Sequence, residues 1–281
     1  MCAMAVGAPL AAQTLSPAPE IVLPALSGER FILNSEAIPG RRYHVHVRLP
    51  PDYADHPDRR YPVVYLLDGD SLLPMLAPLH LFMTYEDRVP EVIMVGIGYG
   101  TFGEGNRRSD DYHIPLPGGA VPDGGGAPAF ARVLNEELVP QIDARFRTNP
   151  EQRILMGQSM GGQFVLWSAW NEPDAWYARM VSNASLGDAA AYFENWPTER
   201  QSTRRSTARG SILLYASGTA DRPRLRAEAL AFRQRWQYQR DLPFGFEWTD
   251  IPGGTHGAEA GRVYRWAMRM LYAPWVNEST P

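Results

Sequence analysis

The run Arg153-Ile154-Leu155-Met156-Gly157-Gln158-Ser159-Met160-Gly161-Gly162 decides how this chain is read. Ile154 to Met156 make a short apolar strand, and Gln163 to Trp170 continue as a helix-compatible segment, so strand, turn and helix follow one another. Between them stands Gly-x-Ser-x-Gly, the nucleophile-elbow pattern. A serine lifted onto so sharp a turn is expected to have a strained backbone, and side chains two positions to either side would collide where strand and helix cross. Gly157 and Gly161 remove that collision. The pattern alone also arises by chance; the flanking strand and helix make Ser159 a candidate nucleophile.

Outward from this run the rhythm repeats. Apolar runs at 61–67, 91–97, 153–156, 179–182, 211–216 and 244–248 are separated, for the most part, by helix-like segments at 71–87, 127–146, 160–170 and 222–240, and 262–275 closes the chain as a helix. Continuous apolar strands alternating with helices predict an α/β fold: a mostly parallel central sheet covered by helices on both faces. Upstream, 30–34 and 42–49 read as strands around a turn at Pro39-Gly40, an N-terminal antiparallel hairpin. In the second, Tyr43, Val45, Val47 and Leu49 alternate with His44, His46 and Arg48, the period of a half-buried strand. His44 and His46 could be read as two metal ligands on one face, but no third lies near in sequence, and a solvated strand face explains the alternation. Residues 28–276 are expected to form one domain, with the polar, tryptophan-containing segment 187–209 either a cap over the site or an ordinary surface insertion.

Composition narrows the chemistry. With 281 residues, 44% of them hydrophobic, the chain can bury a large core. Its one cysteine, Cys2, leaves no intramolecular disulfide and no cysteine-based metal cluster or nucleophile in the fold. All 27 basic residues are arginine, which excludes Schiff-base chemistry, a lysine-anchored pyridoxal cofactor and a Walker-type phosphate loop. A net charge of -4 with interspersed signs carries no nucleic-acid footprint. No apolar run is long enough to span a bilayer. Residues 1–27 read as a tail. Met1 to Gln13 resembles the end of a secretory signal but lacks a basic n-region, which favours a cytoplasmic protein; a truncated signal would instead mean the periplasm or secretion.

A serine hydroxyl needs a base, and the base works best with a carboxylate that fixes its tautomer. The one histidine downstream of Ser159 is His256, in the loop Gly253-Gly254-Thr255-His256-Gly257 between the last strand and the final helix. For the acid, Asp221 stands at a strand end between the two, Asp250 on the last strand is its rival, and Glu228 is a remoter third. The oxyanion requires preorganised donors. The amide of Met160 is one, and the second is expected from Gly69 or Asp70 in the turn after the first parallel strand. The order Ser, Asp, His is that of the α/β-hydrolases.

The combined motifs resemble the esterase branch of the α/β-hydrolases that contains esterase D-like enzymes and the enterochelin (trilactone siderophore) esterases. They are Arg-Tyr-His-Val-His-Val-Arg-Leu-Pro-Pro-Asp-Tyr at 42–53, Tyr-Pro-Val-Val-Tyr-Leu-Leu-Asp-Gly at 61–69, Val-Gly-Ile-Gly-Tyr at 95–99, Arg108-x-x-Asp111-Tyr112, Glu-Glu-Leu-Val-Pro-Gln-Ile at 136–142 and Met-Gly-Gln-Ser-Met-Gly-Gly at 156–162. The chain departs from that pattern at Gln158, where histidine is common, and at His113-Ile114-Pro115, where Thr-Pro follows the tyrosine. The resemblance implies an α/β-hydrolase fold and a serine esterase acting on a small-molecule ester or lactone, with no cofactor or metal. It also implies that Arg108 meets an anionic substrate; an ion pair with Asp110 or Asp111 is the other reading of that arginine. Acyl transfer on the same three residues and a non-catalytic binding protein on the same fold remain the alternatives.

Overall fold

A computed structural model of the chain describes residues 24–119, 124–196 and 211–272. Tyr61–Leu67 is buried at every position, which a strand achieves only when both of its faces are covered. It is β3 of eight described strands: β1 (Gly28–Asn34), β2 (Arg42–Arg48), β3, β4 (Ile93–Gly98), β5 (Thr148–Gln158), β6 (Ala178–Ser182), β7 (Ile212–Gly218) and β8 (Gly245–Ile251). They form one sheet in the order β1-β2-β4-β3-β5-β6-β7-β8. β1 pairs antiparallel with β2 and β2 antiparallel with β4, and every later pairing is parallel.

The helices are α1 (Gly69–Glu86), α2 (Arg108–Asp111), α3 (Gly126–Arg132), α4 (Val139–Arg145), α5 (Met160–Asn171), α6 (Ala190–Glu194), α7 (Pro223–Trp236) and α8 (Ala260–Tyr272). Alternation along β3 assigns them to two layers. Val64 and Leu66 pack with Leu72 and Leu76 of α1 and Tyr264 and Met268 of α8. Tyr65 and Leu67 face the opposite core, built from Phe130 of α3, Phe164 of α5 and Phe232 of α7. The chain runs outward from β3 to β4 and then returns to pair β5 on β3's other side. That reversal leaves a crevice at the carboxyl ends of β3 and β5, where open α/β sheets place their ligands.

Three details depart from the sequence reading. The single helix expected over 127–146 is interrupted by one wide turn at Val133–Leu138, with the Val139 amide donating to the Leu134 carbonyl. Pro140 follows directly; it has no amide proton and its ring crowds the carbonyl four residues back, which a widened turn relieves. Arg48 is buried rather than solvated, because α1 covers that face of β2; its guanidinium pairs with Glu91 at 3.5 Å and donates to the Val92 carbonyl. At the start, Pro24–Leu26 form a short 3-10 turn, and Leu26 packs against the core beside α1. The remaining tail, 1–23, and the end of the domain, 273–276, lie outside the described residues. Of the candidate cap, Tyr192, Phe193 and Trp196 pack against the main core, and 197–209 lies outside the described residues.

Candidate active site

β5 ends at Gln158 and α5 begins at Met160, so Ser159 alone makes the turn. Its backbone is left-handed, φ 56° and ψ -120°, a conformation costly for a residue with a Cβ. Three backbone bonds hold it there: its amide donates to the Ser182 carbonyl at 3.0 Å, and its own carbonyl accepts from the amides of Gln163 (3.0 Å) and Ser185 (3.1 Å). The two elbow glycines differ in what they relieve. A Cβ on Gly157 would stand 2.3 Å from the Gly161 carbonyl oxygen, inside the crossing itself. One on Gly161 would come no nearer than 3.2 Å, to the Asp68 carboxylate.

His256 reaches the same point from the loop after β8. Its Nε2 lies 2.9 Å from Ser159 Oγ, and its Nδ1 lies 3.1 Å from Asp221 Oδ2. Asp221 sits in the loop after β7 with its side chain almost fully buried. The two loops are joined through their backbones: the Ala220 amide donates to the Gly254 carbonyl at 2.8 Å and the Thr219 amide to that of Ile251 at 3.0 Å. Gly218 permits this approach, since a Cβ there would stand 2.3 Å from Gly254 O. The other two carboxylates are engaged elsewhere. Asp250 accepts from Arg226 (2.7 Å), Arg233 (3.2 Å) and the Trp248 indole (3.2 Å), and Glu228 accepts from the amides of Leu186 and Gly187 and from Arg224.

Two further residues hold the histidine loop: Asn183, which carries no signal in the sequence, and Gln158, which stands out there only as a departure from the esterase pattern. Asn183 follows β6 with φ 45°, a region asparagine tolerates better than most side chains. Its Nδ2 donates to the carbonyls of Thr255 (3.0 Å) and His256 (3.2 Å), and its Oδ1 accepts from the Gly218 amide at 2.7 Å. Gln158 adds a third donor to the histidine loop, from Nε2 to the His256 carbonyl at 2.8 Å.

Ser159 opens into a cleft of about 490 Å³ lined by Asp70, Met75, Tyr99, Phe102, Arg108 and Gln158, among others. Two helices begin at it. The first amides of a helix have no partner within it, and its N-terminus carries partial positive charge. In α5 the Met160 amide precedes the first i to i-4 donor, Gln163, and in α1 the Gly69 and Asp70 amides precede the first, Leu72. Asp70 lines the cleft, whereas Gly69 packs on the Gly96 backbone, where a Cβ would come within 2.4 Å. The Asp70 carboxylate is occupied by the amides of Tyr99 (2.7 Å) and Gly100 (3.0 Å).

Arg108 also reaches the cleft, but neither aspartate expected as its ion-pair partner holds it. Its Nε and Nη2 form a bidentate pair with Asp68 at 2.8 and 2.9 Å. Asp111 instead turns into the core, where it accepts from Tyr43 (2.9 Å) and Tyr99 (2.8 Å) and pairs with Arg41 at 3.3 Å. Burial pushes the Asp111 carboxyl above its ordinary range, against the opposing pull of those donors and of Arg41.

A parallel sheet with one antiparallel strand near its edge, a left-handed serine between strand and helix, and aspartate and histidine on the loops after β7 and β8 define an α/β-hydrolase. A family model described as "Putative esterase" matches residues 35–271, and the chain belongs to that family. Ferri-bacillibactin esterase BesA of Bacillus subtilis (strain 168) is 29% identical over 177 residues, covering 57% of this chain and 60% of the relative. Apo-salmochelin esterase of Escherichia coli O6:H1 (strain CFT073) is 27% identical over 156 residues, 52% of this chain and 48% of the relative. The chain thus spans about half to three-fifths of the length of these curated relatives. Among solved structures, siderophore hydrolase EstB from Aspergillus nidulans shares the fold with a TM-score of 0.75 at 22% identity, over 95% of this chain and 99% of that one.

Proposed function

We propose that the protein is a serine ester hydrolase in which Ser159 is the nucleophile, His256 the general base and acid, and Asp221 the carboxylate that orients the imidazole. The observation that carries this is the continuous contact from Ser159 Oγ to His256 Nε2 at 2.9 Å and from His256 Nδ1 to Asp221 at 3.1 Å, at a strained serine facing an open cleft. With the Nδ1 proton directed at Asp221, Nε2 is free to accept the serine proton as Oγ attacks the ester carbonyl. The tetrahedral oxyanion is received by the amides of Met160 and Asp70, both at helix N-termini. The imidazolium then protonates the departing alcohol, leaving an acyl-serine. Water, deprotonated by His256, attacks that acyl group, and collapse of the second tetrahedral intermediate returns the proton to Ser159 and releases the acid. No cofactor is required.

The substrate class is a small-molecule ester or lactone. Siderophore esters are the first to assay, since two relatives are named for them, and the cleft volume of about 490 Å³ bounds the part of the molecule held at the serine. The test is turnover of a neutral activated ester such as 4-nitrophenyl acetate, followed by a panel of siderophore, aryl and sugar esters, by the protein and by S159A. Loss of several orders of magnitude in kcat for a folded S159A is expected; retention of more than about a tenth of the activity would remove Ser159 from the mechanism.

A further inference from the structure

Arg108 lies in the cleft, yet two of its three guanidinium nitrogens, Nε and Nη2, are held by Asp68, the residue that joins β3 to α1. We infer that Arg108 is a positioning residue that clamps the oxyanion turn through Asp68, rather than a charge that meets the substrate. The inference rests on the proposed role of the Asp70 and Met160 amides.

Asp68 is the one residue between the end of β3 and the first residue of α1, and it holds φ 53° and ψ 43°, left-handed for a residue with a Cβ. Its carbonyl already starts the helix by accepting from the amides of Ser71 (2.9 Å) and Leu72 (3.0 Å). Its amide donates to the Tyr112 hydroxyl at 3.2 Å, and its carboxylate takes the Arg108 fork. Every polar group of Asp68 is therefore fixed, and a residue so held dictates where the next two amides, Gly69 and Asp70, are aimed. The same carboxylate lies against the elbow: a Cβ on Gly161 would stand 3.2 Å from Asp68 Oδ2. Asp68 is thus wedged between the two segments that carry the proposed oxyanion donors, and the wedge fixes their separation.

The clamp is itself anchored. The Arg108 amide donates to Asn106 Oδ1 at 3.0 Å, and the guanidinium lies 5.6 Å from the centre of the Tyr112 ring. Tyr112 is fully buried, and Asp111 beside it is tied to Tyr43 and Tyr99 in the core. The arginine side chain is 30% exposed and that of Asp68 18%, so the pair is shielded enough for its two parallel hydrogen bonds to set geometry. A bidentate fork restrains direction as well as distance, which a lysine cannot do.

The test is a double-mutant cycle on D68A, R108A and the double variant, with 4-nitrophenyl acetate as neutral ester and 4-nitrophenyl succinate as anionic ester. If Arg108 acts through Asp68, each single variant loses about 10- to 100-fold in kcat with KM little changed, both esters suffer alike, and the double variant is no worse than either single one. Losses that multiply in the double variant, or an R108A defect confined to KM for the succinate, overturn the inference. R108K is read if removing the side chain unfolds the protein: kcat should fall about tenfold for both esters, since an ammonium cannot hold both carboxylate oxygens, and wild-type kcat in that variant also overturns the clamp. Failure of the proposed reaction is seen separately, as activity retained by S159A, which no outcome of the cycle can mimic.

Discussion

The elbow glycines are predicted to be unequal. In G157A the new methyl would stand 2.3 Å from the Gly161 carbonyl oxygen, 2.4 Å from its carbon and 2.9 Å from the Gly162 nitrogen, all backbone. Ordinary contact needs roughly 1 Å more, so the end of β5 and the start of α5 must separate by about that amount, with overpacking that costs about 1 to 3 kcal/mol. Ser159 is the residue between them, and its contact with His256 is 2.9 Å. Displacement of a reacting group by about 1 Å is worth roughly 100-fold in rate. In G161A the nearest atom is a carboxylate oxygen at 3.2 Å, and a few tenths of an ångström suffice. We therefore expect kcat to fall by about two orders of magnitude in G157A and by less than about tenfold in G161A, with a clear drop in urea midpoint for the former alone. The assay is steady-state hydrolysis of 4-nitrophenyl acetate beside equilibrium unfolding. Equal effects at the two positions, or the larger one at 161, would refute the claim that the strand-helix crossing is what demands glycine.

Asp221→Asn should lower kcat by about 10⁴-fold with KM and folding little changed, because an amide supports the wrong imidazole tautomer. Asp250→Asn should be mild for catalysis, since that carboxylate serves Arg226 and Arg233; a severe defect at 250 with a slight one at 221 would transfer the role. Asn183→Ala should reduce kcat about tenfold and lower the melting temperature, because two carbonyls of the histidine loop lose a shared donor; unchanged kcat would show that the loop holds itself. His80 is fully buried, with Tyr264 at its Nδ1 (2.8 Å) and the Pro90 carbonyl at its Nε2 (3.2 Å), and burial with the nearby Arg48 charge lowers its pKa to about 3. The unfolded chain binds a proton below about pH 6.5 that the folded chain refuses, so this contribution to stability is complete above that pH and is lost as pH falls towards 3, at about 1.4 kcal/mol per unit. Urea unfolding at pH 7 and pH 5 should show the difference in the wild type and a smaller one in H80Q; identical losses would place the effect elsewhere.

Most of the frame was legible because its signals are local. Apolar runs such as 61–67 and 153–156 are too short for helices and read as buried strands, and the glycine-flanked Ser159 and the one downstream histidine lie at strand-end turns. What escaped was decided by partners distant in sequence. Asp221 reads as the first candidate acid because its loop is separate from that of His256, but the arginines of α7 that engage its rival Asp250 carry no local signal. Arg108 has two aspartates within three residues, yet its partner lies 40 residues upstream, because Asp111 is drawn into the core by Tyr43 and Tyr99. Asn183 looks like any residue after a strand; its value comes from the loops that converge on it.

The central claim is that Ser159 is an activated nucleophile, and covalent labelling tests it most directly. The protein is treated with a fluorophosphonate, digested and mapped by mass spectrometry while residual hydrolysis of 4-nitrophenyl acetate is followed in parallel. The account predicts a single phosphonyl adduct on Ser159, activity falling in proportion to its occupancy, and no adduct in S159A. Full activity with no adduct at Ser159, or inactivation that tracks an adduct on another residue, would contradict it.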